Sequence, residues 1–95
     1  MNRRPVIGDC IRISGKRTDF VVVDTTIIHD EFYDVFLFST IRETDVGKPN
    51  PKVTVWQTEG IGCDQYGTAI RQSDITFVRQ SKLKKTVTYT VHDYR

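Results

Sequence analysis

Apolar and polar residues recur along this chain with a period of two, and no window carries a 3.6-residue apolar stripe. The strongest stretch is 20–41. It runs from Phe20 and Val21 through Ile28 and His29, turns at Asp30 and Glu31, and resumes from Phe32 to Ile41. β-Branched residues dominate 21–28, and their restricted χ1 favours strand over helix. In the second arm Tyr33, Val35, Leu37 and Ile41 share a face with Ser39. Phe32, Phe36 and Phe38 take the other face with Asp34 and Thr40. Both faces are apolar, so this arm reads as a strand covered on each side or coiled round a barrel corner. The pattern predicts a central hairpin with an acidic tip.

Further strands flank it. After a Gly8-Asp9 turn, Ile11 and Ile13 face the core while Cys10, a small half-buried residue, and Arg12 face outward or the rim. Residues 14–19 form a turn with a basic tip at Lys16 and Arg17. Gly47, Pro49 and Pro51 make 43–52 an exposed loop. Alternation resumes over 52–59, with Val53, Val55 and Gln57 opposite Thr54, Trp56 and Thr58. A Gly-rich loop (60–67) leads to a short strand over 73–79, with Ile75 and Phe77 inward. Over 84–94, Val87, Tyr89 and Val91 alternate with threonines. The predicted fold is all-β: a small barrel of five bent antiparallel strands over about 5–80, with an extra strand over about 83–94.

Gly8-Asp9-Cys10-Ile11-Arg12-Ile13 is similar to the Gly-Asp-x-Val-x-Ile opening of SH3-like barrels of the KOW and Tudor kind. The segment 70–78, with its Ser73-Asp74-Ile75 step, resembles their closing strand. The resemblance covers some three quarters of the chain as pattern and two short motifs as sequence. It implies a fold and a tendency to bind nucleic acid or protein, and it designates no site.

At 95 residues the chain makes one domain. Its 38% hydrophobic and 27% charged residues belong to an ordinary folded protein. The longest aliphatic or aromatic runs, 20–23 and 35–38, fall far short of the roughly 20 residues a membrane span needs. No apolar stretch follows Arg3-Arg4, so no leader is expected, and the location expected is cytoplasmic. Cys10 and Cys63 read as free thiols. A zinc set of Cys10, Cys63, His29 and His92 lacks the close-spaced pairs that seed tetrahedral ligation.

No phosphate loop, nucleophile elbow or dinucleotide fingerprint is present. His29 beside Asp30, Glu31 and Asp34 has the types acid–base chemistry uses, but a hairpin tip collects polar residues because its backbone stays solvated. The expectation is therefore no enzyme, no cofactor and no metal.

Net charge is only +2, low for a dedicated nucleic-acid binder, but it is unevenly spread. Residues 1–17 hold five basic and one acidic side chain, 18–64 three and nine, and 65–95 six and two. Barrel closure sets first and last strands side by side. Arg3, Arg4, Arg12, Lys16 and Arg17 would then neighbour Arg79, Lys82, Lys84 and Lys85, a basic face able to follow phosphates. Trp56, Tyr66 and Tyr94 are the candidate base-stacking rings. The bland alternative is that Trp56 is core and the lysines are edge-strand charges that deter aggregation. The function expected is a binding module for DNA, RNA or a nucleic-acid-handling assembly. The alternative is a small protein-binding regulator or inhibitor, such as a virus directs at a host factor, docking through the 84–94 edge. That edge would equally allow a homodimer beside the monomer.

Overall fold

The computed structural model describes residues 3–29, 31–32, 34–59 and 66–81. The predicted hairpin is its centre: β2 (Phe20–His29) pairs antiparallel with β3 (Asp34–Arg42) along nearly their whole lengths. On one side β2 meets β1 (Asp9–Ile13), which in turn pairs with β6 (Ile75–Gln80). On the other, β3 meets β4 (Thr54–Gln57), and β4 pairs in parallel with the two-residue β5 (Thr68–Ala69). The sheet order is β5-β4-β3-β2-β1-β6. The sheet curls into a half-barrel. The five antiparallel strands match the number expected. The sixth strand seen is β5, and the predicted 84–94 strand lies outside the described residues.

Curling has local causes. The β2–β3 register slips between Val22 and Asp24, and a second irregularity divides Cys10 from Ile11 along β6. Such bulges raise the local twist and bend the strand that carries them. The curl encloses Ile11, Ile13, Phe20, Val22, Phe36, Phe38, Trp56 and Ile75, which form one core cluster on the inner face. Phe20 and Trp56 meet edge to face at 5.6 Å. On the other face Val21, Val35, Leu37 and Ile41 are buried as well, so β3 is covered on both sides as its sequence predicts.

Close packing also needs Gly67. A Cβ there would stand 2.9 Å from the Val55 carbonyl oxygen, so a side chain would push β5 away from β4. Short one-turn 3-10 helices at Glu43–Asp45 and Gln72–Asp74 redirect the chain after β3 and before β6.

Two placements differ from the sequence expectation. Cys10 was expected half-buried on the outer face or rim and is fully buried, because the outer face it joins is covered and its thiol lies under Glu43. Phe77 was expected inward and is 43% exposed, with the Arg3 guanidinium over its ring.

Residues 3–5 pack against the sheet and the segments beside it. Arg4 lies over the Phe36 ring and grips Glu59, while Pro5 is buried. Arg3 makes a two-pronged bond to the fully buried Asp9, whose carboxylate also accepts the Val6 N–H at 2.9 Å. A buried carboxylate is tolerated only with such partners.

Candidate anion-binding cleft

One end of the inner face opens into a cleft of about 420 Å³. Its floor is the edge of the core, Phe20 and Trp56. Trp56 is only 2% exposed, and its indole N–H donates to Thr40 Oγ1 at 2.8 Å. Thr40 Oγ1 in turn donates to the Thr54 carbonyl at 3.4 Å, so the ring is held by a relay across β3 and β4. Thr18, Thr54 and Thr68 add to the wall.

The rim is cationic. Lys16 and Arg17 come from the β1–β2 turn, Arg42 from the last position of β3 and Lys52 from just before β4. Gly15 bends that turn at φ +84°, backbone that L side chains rarely adopt, and the Lys16 N–H closes it onto the Ile13 carbonyl at 3.0 Å. The Lys16 ammonium stands 5.8 Å from the Trp56 ring centroid. Arg42 lies opposite Phe20 in the ladder. Among the described residues no acidic side chain lines the cleft. Among the described residues none of Lys16, Arg17, Arg42 and Lys52 forms an ion pair.

The other cations expected to form a basic face are spent differently. β1 and β6 do lie side by side. Yet Arg3 pairs with Asp9, Arg4 with Glu59 and Arg12 with Asp19 at 2.9 Å, while Arg79 pairs with Glu43. Each is largely neutralised by its carboxylate. Glu59 is held below its ordinary pKa chiefly by hydrogen bonds from Arg4. Lys82, Lys84, Lys85 and Tyr94 lie outside the described residues. The Trp56 ring, expected as a stacking surface, is core: it is 2% exposed, meets Phe20 in a T-shaped contact, and donates its indole N–H to Thr40. Tyr66 is half-buried before β5 and does not line the cleft.

Arg42 and Lys52 escaped the sequence reading, though parity could have found them. Phe36, Phe38, Thr40 and Arg42 share one face of β3, while Lys52, Thr54 and Trp56 share the matching face of β4. The ladder pairs Phe38 with Trp56 and ends at Thr40 with Thr54; the same parity carried past its end sets Arg42 and Lys52 on that side, and both line the cleft.

Two other polar groups are present. Cys10, Asp19 and Glu43 place one ligand atom each within 4.8 Å of one another. The Cys10 thiol donates to Glu43 Oε2 at 3.1 Å, and burial pushes its pKa up. Both carboxylates are already engaged by Arg12 and Arg79. At the hairpin, His29 Nδ1 lies 2.8 Å from Asp34 Oδ1 in open solvent. His29 follows Val21, the cross-strand neighbour of Cys10, by roughly 25 Å of strand, so the two cannot share one ion.

No helix among the described residues is long and apolar enough to cross a membrane. No protein-family model matches the chain, and no curated protein or solved structure does so either.

Proposed function

We propose that this protein is a non-enzymatic binding module that contacts nucleic acid through its phosphates at the cationic cleft. The observation that carries the reading is the convergence on one cleft of four cations that have no carboxylate partner among the described residues. Unpaired cations held near one another repel, and an anion relieves that repulsion. Each contact to a phosphate at about 4 Å is worth about 1 kcal/mol in water and about 4 kcal/mol in a half-screened site. Threonine hydroxyls on the wall add neutral donors to phosphate or sugar oxygens.

The β1-to-β4 meander, with β6 returning to β1 through a 3-10 turn, supports an SH3-like barrel of the KOW or Tudor kind, left open on one side. A buried, reduced Cys10 fits a cytoplasmic setting.

Binding of fluorescent mixed-sequence DNA and RNA, measured by anisotropy at several salt concentrations, tests the proposal. With two to four phosphates contacted, log K should fall against log salt with a slope of about −1.4 to −2.8. The Arg42→Ala/Lys52→Ala double variant should lose most of the affinity, whereas Arg12→Ala, which removes a paired cation, should change it little. Absence of binding to either nucleic acid at about 50 mM salt refutes the reading, since electrostatic contacts are strongest there.

A further inference from the structure

We infer that the cleft seats one nucleotide of a single strand by its phosphate and sugar, leaving the base outside. The protein then prefers single strands to duplex and has no sequence preference. This rests on the nucleic-acid reading above and narrows it.

Shape gives the first reason. The four cations rim a concavity, and about 420 Å³ is near the small end of ligand pockets, roughly 300–1,000 Å³. That space admits the sugar of one nucleotide with its flanking phosphates. A duplex is read by elements that protrude into its grooves or by a surface that tracks many phosphates. A duplex places one of its nucleotides in a recess only at an unstacking and unpairing cost of a few kcal/mol, which a single strand does not bear.

Charge gives the second reason. A duplex-length track would need the cations of β1, β6 and the N-terminal segment, but Arg3, Arg4, Arg12 and Arg79 are each committed to a carboxylate. The unpaired positive charge of the described residues around this site is therefore short, matching a footprint of about two phosphates, the low end of the salt slope above.

The floor gives the third reason. Single-strand binders commonly offer exposed rings on which bases stack. Here Trp56 and Phe20 are 2% and 7% exposed and pack against each other, so no ring face is free for a base. What faces the recess is cations and the threonines at 18, 54 and 68, groups that read phosphate and sugar. Recognition without base contacts carries no direct sequence information.

The chain supplies its own reporter. Trp56 is the only tryptophan, and the Lys16 ammonium stands over its ring. A phosphate that draws Lys16 off the ring alters the field at the indole and shifts its emission.

The full chain is titrated at about 50 mM salt with labelled mixed-sequence single strands of about twelve nucleotides, the matching duplex, and oligo-dT and oligo-dA. Anisotropy and Trp56 emission are both followed. Single strands should bind at least about tenfold tighter than duplex, and oligo-dT and oligo-dA should agree within about threefold. Trp56 emission should change along the same isotherm. The Arg42→Ala/Lys52→Ala variant, checked for folding by circular dichroism, should lose both signals.

Duplex binding as tight as single-strand binding, still lost in the double variant, overturns this inference and leaves the nucleic-acid reading standing. A strong preference for one homopolymer overturns the claim that the base stays outside. Single-strand binding that survives in the double variant overturns the cleft as the site. Binding to none of the probes overturns the broader reading instead.

Discussion

The relay from Trp56 to Thr40 to Thr54 makes a quantitative claim about stability. Thr40 is fully buried, and its hydroxyl accepts the indole N–H at 2.8 Å. Thr40→Val preserves shape but leaves that N–H buried without an acceptor, a cost of about 1–3 kcal/mol. Taking about 2 kcal/mol, the melting temperature of a domain this size should fall by roughly 8–16 °C. Trp56→Phe removes the donor instead, with about 1 kcal/mol of lost burial and about 1 kcal/mol of lost hydrogen bond. In the Trp56→Phe background no donor remains to be stranded, so Thr40→Val should cost only about 0.5 kcal/mol. The coupling between the two sites is then about 1.5 kcal/mol. Urea unfolding followed by far-ultraviolet circular dichroism measures all four corners of the cycle, since the only tryptophan is absent from two of them. The slope against urea should stay constant, because the surface exposed on unfolding hardly changes. Additive costs, within about 0.3–0.5 kcal/mol, would mean the relay is geometry without energetic consequence.

Four other outcomes follow from the packing. Gly67→Ala drives a methyl group against the Val55 backbone and should cost about 1–3 kcal/mol, with hydrogen exchange speeding up at the Ile70 amide, which bonds the Gln57 carbonyl. Arg3→Ala strands the buried Asp9 carboxylate and should cost about 3 kcal/mol by urea unfolding, more than Asp9→Asn, which returns Arg3 to water; the reverse order would refute the account. Glu59 has a depressed folded pKa, so its contribution is present above the ordinary carboxylate pKa and is lost as pH falls through the folded value. The stability gap between the natural chain and Glu59→Gln, about 0–1 kcal/mol at pH 7 for so exposed a pair, should therefore close below about pH 4. In a Cys63→Ser background Cys10 should resist alkylation until the chain unfolds, since it is buried and its pKa is raised; rapid labelling of the folded protein would contradict that placement.

The sheet was largely legible because β strands announce themselves through parity. The β2–β3 hairpin, the two-sided burial of β3 and the adjacency of β1 and β6 all follow from which residues alternate and which runs do not. Parity shows which face a residue takes, not whether that face is covered: Cys10 keeps its outward parity and is buried because the outer face beside Val21 is covered and Glu43 caps its thiol. Phe77 was misread for another reason: at the end of a curled sheet an inward-parity residue can still reach the rim, where a guanidinium covers it. β5 is too short for any periodicity, and it exists because Gly67 lets the chain approach Val55.

The site was less legible, and the reason is electrostatic. A cation in a sequence is counted once, whether it ends in a salt bridge or in open solvent. Folding sorts the two, and only the unpaired ones attract a ligand. Arg12 and Arg17 are the same residue type five positions apart, yet Arg12 meets Asp19 while Arg17 reaches the cleft. Of the basic residues that composition groups together, Arg3, Arg4, Arg12 and Arg79 stand in ion pairs, while Lys16 and Arg17 line the cleft at the β1–β2 turn. Half of that site, Arg42 and Lys52, comes from the acidic middle of the chain, where segment charge pointed away from anion binding. What sets them beside the cleft is the course of β3 and β4. Segment charge averages over distances along the chain, whereas a charged group responds to others within about 10 Å of itself, the screening length at 0.1 M salt. The strand ladder, which decides which distant residues become neighbours, is therefore the better guide to where unpaired cations gather.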